Sequence, residues 1–355
     1  MQRENTLLLD NWIFDLQRLG GISRYWAGLQ RALLIDGVQF DIVSGQNSKN
    51  IFDAASSIEA GQHFVKEVSL RDRVLPVAMP KGCDHEIYHA SYFYRPKCWK
   101  SRHVVTVHDL MYHKFDKRLL AYLFKYQFGE AVKSASDIVC VSHATRSDLL
   151  EFYPALERKN VQVIHNGVES LFFDRPQASQ PAEKKYALYV GSRGTCKNFD
   201  YVLELAHSEY FCDQEIELIA VGSPPAGEEL KKYQENGWDR NVKYLQAIDD
   251  AKLATLYVGA EFLLIPSLYE GFGLPAAEAM AAGCPVVHSG RGSLGEVVGS
   301  SELQIDEFSV SSGSKVLQRL SDPDTRQRII ETQKKRAENY RWENIVQAYK
   351  EFYFG

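Results

Sequence analysis

The sequence has 355 residues, of which 45% are hydrophobic, 12% aromatic and 25% charged. A chain of this length usually forms two domains, and the composition is ordinary for a folded protein. The net charge of −5 excludes the basic footprint of a general nucleic-acid-binding protein, although a local basic strip could still touch an anionic membrane surface.

Targeting and crosslinking signals are absent from the sequence pattern. The first ten residues hold too short an apolar run for a signal peptide, and no run of about 18 apolar residues predicts a membrane span. We therefore expect a cytoplasmic protein. The six cysteines form no CxxC pair, which favours buried free thiols.

Short apolar runs alternate with longer amphipathic segments along the whole chain, which predicts an α/β fold with doubly wound parallel sheets. In the first half, strands are predicted at 6–10, 40–44, 86–90, 103–109, 137–142 and 161–166, and helices near 22–36, 117–135 and 144–152. In the second half, strands are predicted at 186–192, 216–222, 241–245, 261–267, 284–289 and 303–306, and helices near 199–208, 226–236, 249–258, 275–283, 310–320, 323–339 and 342–352.

The stretch DRPQASQPAEKK, 174–185, lacks apolar periodicity and reads as a linker. The predicted division is a first Rossmann-like domain at 1–173, a second at 186–339, and a final helical segment at 340–355. Ligands of open parallel sheets lie at the carboxyl ends of the strands. Two such sheets with these edges facing each other would enclose a cleft.

The segment PSLYEGFGLPAAEAMAAGCPVVHS, 266–289, carries the most information. A predicted strand ends at a glycine-rich turn that contains Gly271, Phe272 and Gly273. Leu274 and Pro275 then open an alanine-rich helix, which glycine ends near residue 283. Free N–H groups at such a helix start attract phosphate, and glycines allow its close approach.

Two carboxylates, Glu270 and Glu278, flank this predicted phosphate site eight residues apart. A carboxylate repels a phosphate, so each is better suited to accept hydrogen bonds from hydroxyl groups of a ribose or a hexose. The alternative for Glu278 is a simple complement to the helix dipole.

This E-x7-E segment resembles the signature of retaining glycosyltransferases of family 4, which have the GT-B fold. The loop YVGSRGTCKNFDYVLELA, 189–206, is similar to the phosphate-binding loop of that family. Lys197 matches the family lysine that grips the donor diphosphate. The usual arginine directly before it is Cys196 here, and Arg193 could supply the second charge. Solvent-exposed basic residues are the alternative.

Segments of the first half resemble the same family. GGISRYW, 20–26, is similar to its N-terminal glycine loop, where Gly20 and Gly21 would face the diphosphate; a loop before a helix capped by Ser23 is the alternative. TVHDL, 106–110, places His108 at a strand end, where the family commonly has a histidine that lines the donor-sugar site. RWENIVQAYKEFYF resembles the last helix, which in this family crosses back onto the first domain.

Two other motifs are interpreted as chance matches. His85 and His89 match HExxH, but the segment is predicted to be a strand, in which residues four apart lie about 13 Å from each other, too far to share a zinc ion. GRGSLG, 290–295, matches GxGxxG, but the next predicted strand follows too soon for a dinucleotide-binding unit. We expect a turn and a short helix near the donor instead.

The resemblance implies transfer of a hexose from a nucleoside diphosphate sugar to a glycan or lipid-linked acceptor of a surface polysaccharide, with retention of configuration and without a metal. GDP-mannose and UDP-hexose donors are both compatible. The expected catalytic residues are His108 and Glu270. The expected donor-binding residues are Gly21, Arg193, Lys197, Gly271, Phe272, Gly273, Leu274 and Glu278. A sugar-nucleotide epimerase, a phosphorylase and a non-catalytic nucleotide-sugar-binding subunit are the alternatives.

A lipid-linked acceptor would imply peripheral contact with the inner membrane surface. The basic and aromatic stretch YFYRPKCWKSR, 92–102, is one candidate for this contact, and a solvated loop is the alternative.

Overall fold

The computed structural model describes residues 6–18, 20–45, 50, 61–97, 101–116, 118–174 and 184–355. Most of the predicted linker, 175–183, therefore lies outside the described residues. The strands are β1 (Leu7–Asp10), β2 (Asp41–Ser44), β3 (His63–Val65), β4 (Ile87–Ala90), β5 (Arg102–Val107), β6 (Asp137–Cys140), β7 (Asn160–Val163), β8 (Tyr186–Val190), β9 (Glu217–Val221), β10 (Val242–Leu245), β11 (Phe262–Ile265) and β12 (Val286–His288).

The α-helices flank these strands in the chain order expected for a doubly wound fold. They are α1 (Trp12–Leu16), α2 (Gly21–Ile35), α3 (Met111–Phe115), α4 (Leu119–Ser134), α5 (His143–Phe152), α6 (Ser170–Phe173), α7 (Phe199–Ala206), α8 (Glu209–Asp213), α9 (Gly227–Glu235), α10 (Asp250–Gly259), α11 (Leu274–Ala282), α12 (Leu294–Val298), α13 (Val310–Gln318), α14 (Pro323–Ala337) and α15 (Trp342–Phe354). Among the helices of the described residues, none has both the length and the apolar character needed to cross a lipid bilayer.

Two compact units make up the chain. The first comprises Met1–Gly167 and Trp342–Gly355, and the second comprises Val168–Arg341. The first unit thus ends before the stretch predicted as a linker, and α6 belongs to the second unit.

The first unit contains a seven-stranded parallel sheet in the order β3-β2-β1-β4-β5-β6-β7. Its central strands are buried along their full length, as expected for a parallel sheet that is covered on both faces. One hydrophobic core includes side chains of α2 and α15, and the other includes side chains of α4.

The last helix, α15, is an integral part of the first unit. The hydroxyl groups of Tyr25 in α2 and Tyr349 in α15 are hydrogen-bonded to each other. Arg102, at the start of β5, donates to the carbonyl oxygens of Phe352 and Tyr353 at 2.9 and 2.7 Å. The guanidinium group therefore satisfies acceptors that the end of a helix leaves open.

The second unit contains a five-stranded parallel sheet in the order β10-β9-β8-β11-β12. Its core joins side chains of β8, β9 and β11 to those of α7 and α14. The predicted strand at 303–306 forms only an isolated bridge, between His288 and Gln304. The amide of Gln304 donates within a turn to the carbonyl oxygen of Ser301 at 3.1 Å, so the segment does not continue as a strand.

Two aromatic residues of the stretch 92–102 are buried, although the sequence suggested a surface position. Phe93 and Tyr94 are 4% and 2% exposed. The ring of Phe93 packs against Phe124 and Phe128 of α4 at centroid distances of 5.7 and 4.8 Å. The ring of Tyr94 lies edge-on to Trp12 at a centroid distance of 5.3 Å. Both rings are therefore buried inside the first unit and do not offer the membrane contact expected from the sequence. Residues 98–100 lie outside the described residues.

Candidate active site

The turn after β11 places Glu270 at the carboxyl end of the central part of the second sheet. Gly273 has φ +87°, a left-handed conformation that favours glycine, and it precedes the first residue of α11. Pro275 lies in the first turn of α11, and Gly283 ends the helix at φ +81°. The predicted strand, glycine turn and helix are therefore confirmed.

The carboxylate of Glu270 accepts hydrogen bonds from two side chains. The ammonium group of Lys197 donates to both oxygens, at 2.7 Å to Oε1 and 2.7 Å to Oε2. The hydroxyl group of Ser267 donates to Oε1 at 2.7 Å. The side chains of Lys197 and Glu270 are 26% and 11% exposed, so the pair can be reached from solvent while it is partly shielded from it.

Hydrogen bonds between the two loops hold Lys197 beside this turn. Lys197 ends a single 3₁₀ turn, Thr195–Lys197, and Asn198 follows in a left-handed conformation with φ 54°. The Asn198 side chain donates to the carbonyl oxygen of Pro266 at 3.3 Å, and the amide of Leu268 donates to the carbonyl oxygen of Cys196 at 2.7 Å. The two loops are therefore joined on both sides of Lys197.

The GxGxxG segment, residues 290–295, contacts the backbone of Glu270. It forms a turn followed by α12, as the sequence predicted. Ser293 donates to the carbonyl oxygen of Glu270 through its amide at 3.2 Å and its hydroxyl at 3.1 Å. Gly292 has φ +61°, and a Cβ atom there would lie 2.6 Å from the carbonyl oxygen of Glu270. Only glycine fits this approach without a backbone shift.

Arg193 is engaged elsewhere in the second unit. Its guanidinium group forms a two-point ion pair with Glu229, at 2.8 and 2.9 Å, and also donates to the carbonyl oxygen of Ser223. This hydrogen bonding raises the pKa of Arg193 and lowers that of Glu229. The structure therefore does not bring Arg193 to the carboxylate that binds Lys197.

Glu278 lies inside the second unit, on α11. It is 2% exposed, and the hydroxyl group of Tyr257 donates to its Oε2 at 3.2 Å. A ligand has almost no accessible surface on Glu278 in this structure. The ribose contact expected from the sequence stays a prediction.

The remaining residues of the glycine turn are packed closely. Gly271 and Gly273 are buried, and Leu274 is partly buried as the first residue of α11. The ring of Phe272 is edge-on to Tyr340 at a centroid distance of 5.3 Å. These contacts fix the turn that carries Glu270.

In the first unit, the glycine pair opens α2. The helix begins at Gly21 with Gly20 as its N-cap, and Ser23 donates to the carbonyl oxygen of Gly20 at 3.0 Å. The alternative in which Ser23 caps the helix is therefore wrong, because Ser23 lies inside its first turn. Gly21 is exposed, and nothing lies within 4 Å of a Cβ atom added to it.

His108 follows β5 directly and is half-buried. Its ring is edge-on to Tyr25 at a centroid distance of 4.8 Å. Burial lowers the pKa of His108 to about 3, so the imidazole is neutral near physiological pH. Asp109 accepts a hydrogen bond from the amide of Met111 at 2.9 Å and thereby supports the start of α3.

The HExxH match has no shared site. His85 is paired with Asp41 at 2.8 Å, whereas His89 contacts the hydroxyl groups of Thr106, at 2.8 Å, and Tyr353, at 2.5 Å. The two histidines therefore bind different partners.

Sequence reasoning missed Ser267, Gly292 and Glu229 as parts of this region. Ser267 could have been found from its place three residues before Glu270, a spacing typical of a local side-chain hydrogen bond. Gly292 and Glu229 contact their partners from distant parts of the chain, and no local signal marks either contact.

Comparisons with known proteins cover both units. Glycosyl transferases group 1 matches residues 172–336, and Glycosyltransferase Family 4 matches residues 19–170. The chain is 31% identical over 292 residues to the O-antigen chain mannosyltransferase B of Escherichia coli, covering 74% of each sequence. It is 26% identical over 223 residues to the O-antigen chain mannosyltransferase RfbU of Salmonella typhimurium, covering 61% of each.

The fold has close counterparts among solved structures. The Anabaena protein Alr3699/HepE, crystallised in complex with UDP and glucose, superposes with a TM-score of 0.74 at 15% identity, over 98% of each chain. At this identity the likeness concerns the fold alone: GT-B, with two Rossmann-like units. Together with the family matches and the extended similarity to the E. coli protein, it shows that this chain is a glycosyltransferase and belongs to glycosyltransferase family 4.

Proposed function

We propose that this enzyme transfers a hexose, with mannose favoured, from a nucleoside diphosphate sugar to a glycan or lipid-linked acceptor of a surface polysaccharide, with retention of configuration. The pair formed by Lys197 and Glu270 carries the proposal, because it joins a cation for a diphosphate to a carboxylate for sugar hydroxyls. The names of the two O-antigen mannosyltransferases support the sugar and the acceptor class. The proposed location is the cytoplasm, at the inner membrane surface.

In the proposed mechanism, the donor substrate binds both Lys197 and Glu270 and replaces the ion pair between them. The diphosphate accepts the hydrogen bonds of Lys197, and hydroxyl groups of the donor sugar donate to Glu270 in place of the ammonium group. The leaving diphosphate gains negative charge as the bond from the sugar C1 to the phosphate oxygen breaks. A fixed cation stabilises that charge most in the transition state, which lowers the barrier.

Retention places the acceptor oxygen on the face of the sugar from which the diphosphate leaves. The acceptor hydroxyl then forms the new bond to C1, and its proton can pass to an oxygen of the departing diphosphate. We propose that neutral His108 lines this reaction centre by exchanging hydrogen bonds with a hydroxyl group. In the first unit, we propose that Gly21 offers its backbone to the diphosphate.

The positive charge proposed for this step comes from the protein, and we propose that no metal is needed. Lys197 supplies a full charge, and the start of α11 after the glycine turn supplies the positive end of a helix dipole. Arg193 is proposed as a second donor-binding residue, a role that requires it to exchange Glu229 for a phosphate oxygen. Lys197→Ala should therefore weaken donor binding more than Arg193→Ala.

The first experiment measures the thermal midpoint of the purified chain with a panel of nucleoside diphosphate sugars, without added metal. A ligand present at about 100 times its Kd stabilises the native state by about 2.7 kcal/mol. A shift with one donor and with its nucleoside diphosphate is expected, with GDP-mannose as the favoured candidate. No shift with any donor would contradict the proposed donor site.

The second experiment separates transfer from binding and from epimerisation. With donor and a lipid-linked acceptor, the proposed enzyme releases nucleoside diphosphate and forms a glycoside whose anomeric configuration NMR can read. Lys197→Ala should abolish both, whereas Lys231→Ala should not, because Lys231 is a 76% exposed surface residue. A new nucleoside diphosphate sugar as product, or an inverted glycoside, would refute the proposed reaction.

A further inference from the structure

A buried network of four hydroxyl groups and one imidazole lies beside His108 in the first unit. Its members come from α2, β4, β5 and α15: Tyr25, His89, Thr106, Tyr349 and Tyr353. Thr106 is 3% exposed, and each of the other four is at most 2% exposed. Burying polar groups costs free energy unless they are hydrogen-bonded, so these side chains depend on one another.

The hydrogen bonds of this network join the last helix to β5. The hydroxyl groups of Tyr349 and Tyr25 are bonded to each other, and the hydroxyl of Tyr25 lies 3.4 Å from that of Thr106. Thr106 contacts Nε2 of His89 at 2.8 Å, and Nδ1 of His89 contacts the hydroxyl of Tyr353 at 2.5 Å. Burial raises the pKa of Tyr25 to about 12, so its hydroxyl keeps the proton that it donates. The network therefore begins and ends on α15.

Tyr25 links this network to His108. Side chains two residues apart along a strand share one face, and Thr106 and His108 stand in this relation at the end of β5. Tyr25 contacts both, Thr106 through its hydroxyl and His108 through its ring, which is edge-on at 4.8 Å and 77°. Such an edge-on pair favours one orientation of the two rings.

This ring contact matters because hydrogen bonding leaves one side of the imidazole unfixed. Nε2 of His108 is buried, and no residue in the part of the chain that the structure describes forms a hydrogen bond with it. The orientation of the imidazole therefore depends on the side chains packed against it, of which Tyr25 is one.

We propose that Tyr349 is a positioning residue for the transfer reaction. Its hydroxyl holds Tyr25 in place, and the ring of Tyr25 holds the imidazole of His108 in the orientation that a substrate hydroxyl group meets. This inference rests on the proposed function, because it explains how the residue proposed to line the reaction centre is oriented. The last helix would thus act on the reaction without contacting the substrate.

The test is Tyr349→Phe, which removes the hydroxyl and keeps the ring. Tyr186→Phe is the matched control, because it removes another buried hydroxyl, one that donates to the carbonyl oxygen of Leu256 at 2.8 Å in the second unit. Both variants should remain folded with similar thermal midpoints. In NMR spectra of histidine-labelled protein, the ring signals of His108 should shift in Tyr349→Phe and stay unchanged in Tyr186→Phe.

Kinetics then show whether the orientation serves the reaction. A hydrogen bond between neutral groups changes an equilibrium about fivefold, so we expect kcat of Tyr349→Phe to fall about fivefold. The KM for the donor should be unchanged, because Lys197 and Glu270 lie in the second unit. When His108→Gln is already present, Tyr349→Phe should cause no further fall, whereas a merely structural effect would lower kcat in both backgrounds.

The NMR measurement needs no substrate, so it tests this inference even if the chain binds no donor and the proposed function is refuted. The inference is overturned if the His108 signals are the same in Tyr349→Phe and the unaltered chain, or if Tyr186→Phe shifts them equally. It is also overturned if Tyr349→Phe keeps full kcat, or lowers kcat equally with and without the imidazole.

Discussion

The backbone of Glu270 passes close to Gly292. The substitution Gly292→Ala therefore tests whether this close approach positions Glu270. The added Cβ atom would lie 2.6 Å from the carbonyl oxygen of Glu270 and 2.9 Å from its amide nitrogen. Ordinary contact begins at 3.4 Å, so one backbone segment has to move by about 0.8 Å. The left-handed φ of +61° adds about 1–2 kcal/mol of strain for alanine.

We expect this shift to affect both catalysis and folding. A displacement of about 1 Å at a reacting group can reduce the rate about 100-fold, so kcat/KM should fall between about 10-fold and 100-fold. The assay is release of nucleoside diphosphate at varied donor concentration, together with the thermal midpoint. The chain should remain folded, with a free energy of unfolding lowered by a few kcal/mol.

Gly237 provides the matched control. It has φ +69°, but nothing lies within 4 Å of an added Cβ atom. Gly237→Ala therefore adds the strain of the left-handed conformation without the contact on Glu270, and it should lower stability while kcat/KM is unchanged. If Gly292→Ala keeps full activity, or if Gly237→Ala loses as much, the positioning of Glu270 by this close approach is refuted.

Three further predictions concern single groups. Ser267→Ala removes one of the hydrogen bonds to Glu270 and should lower kcat/KM about tenfold, since a hydrogen bond to a charged group contributes about 1.5 kcal/mol; unchanged kinetics would contradict this. Burial raises the pKa of Asp10 from 3.8 to about 6, so its protonated form favours folding below 3.8 and this stability is lost as pH rises through 6. As pH rises between these values, the free energy of unfolding of Asp10→Asn should increase by up to about 3 kcal/mol relative to that of the unaltered chain. A difference between the two proteins that does not change with pH would contradict this. The NMR signals of His108, assigned with His108→Gln, should show no titration between about pH 5 and 8, because burial lowers its pKa to about 3; a midpoint in that range would disprove the neutral ring.

The parts of the site that the sequence predicted depend on neighbours in the chain. Gly273, Pro275 and Gly283 mark the turn and both ends of α11 through their own backbone preferences, so the turn and α11 could be located without a structure. The central strands were equally clear, because continuous apolar runs in a parallel sheet are buried on both faces. The weak strand β3 was missed, since its three residues alternate between exposed and partly buried.

The missed parts depend on residues that are distant in the chain. The ion pair of Arg193 with Glu229 on α9 was not predicted, because the two residues lie 36 positions apart; its assignment to the diphosphate stays a prediction. Phe93 and Tyr94 looked suited to a surface because basic residues follow them, yet both are buried, Phe93 against α4 and Tyr94 against Trp12. A pattern of residue types cannot show which of two apolar surfaces will be covered by a later helix.

The position of α15 has a consequence for the order in which the chain can fold. During synthesis, the whole second unit is made before α15, so the part of the first core that contains Ile345, Val346 and Tyr349 is missing until then. The apolar side of α2 that meets this helix stays uncovered for that time. The nascent first unit is therefore exposed to aggregation, while Val168–Arg341 has all of its own strands and can fold first.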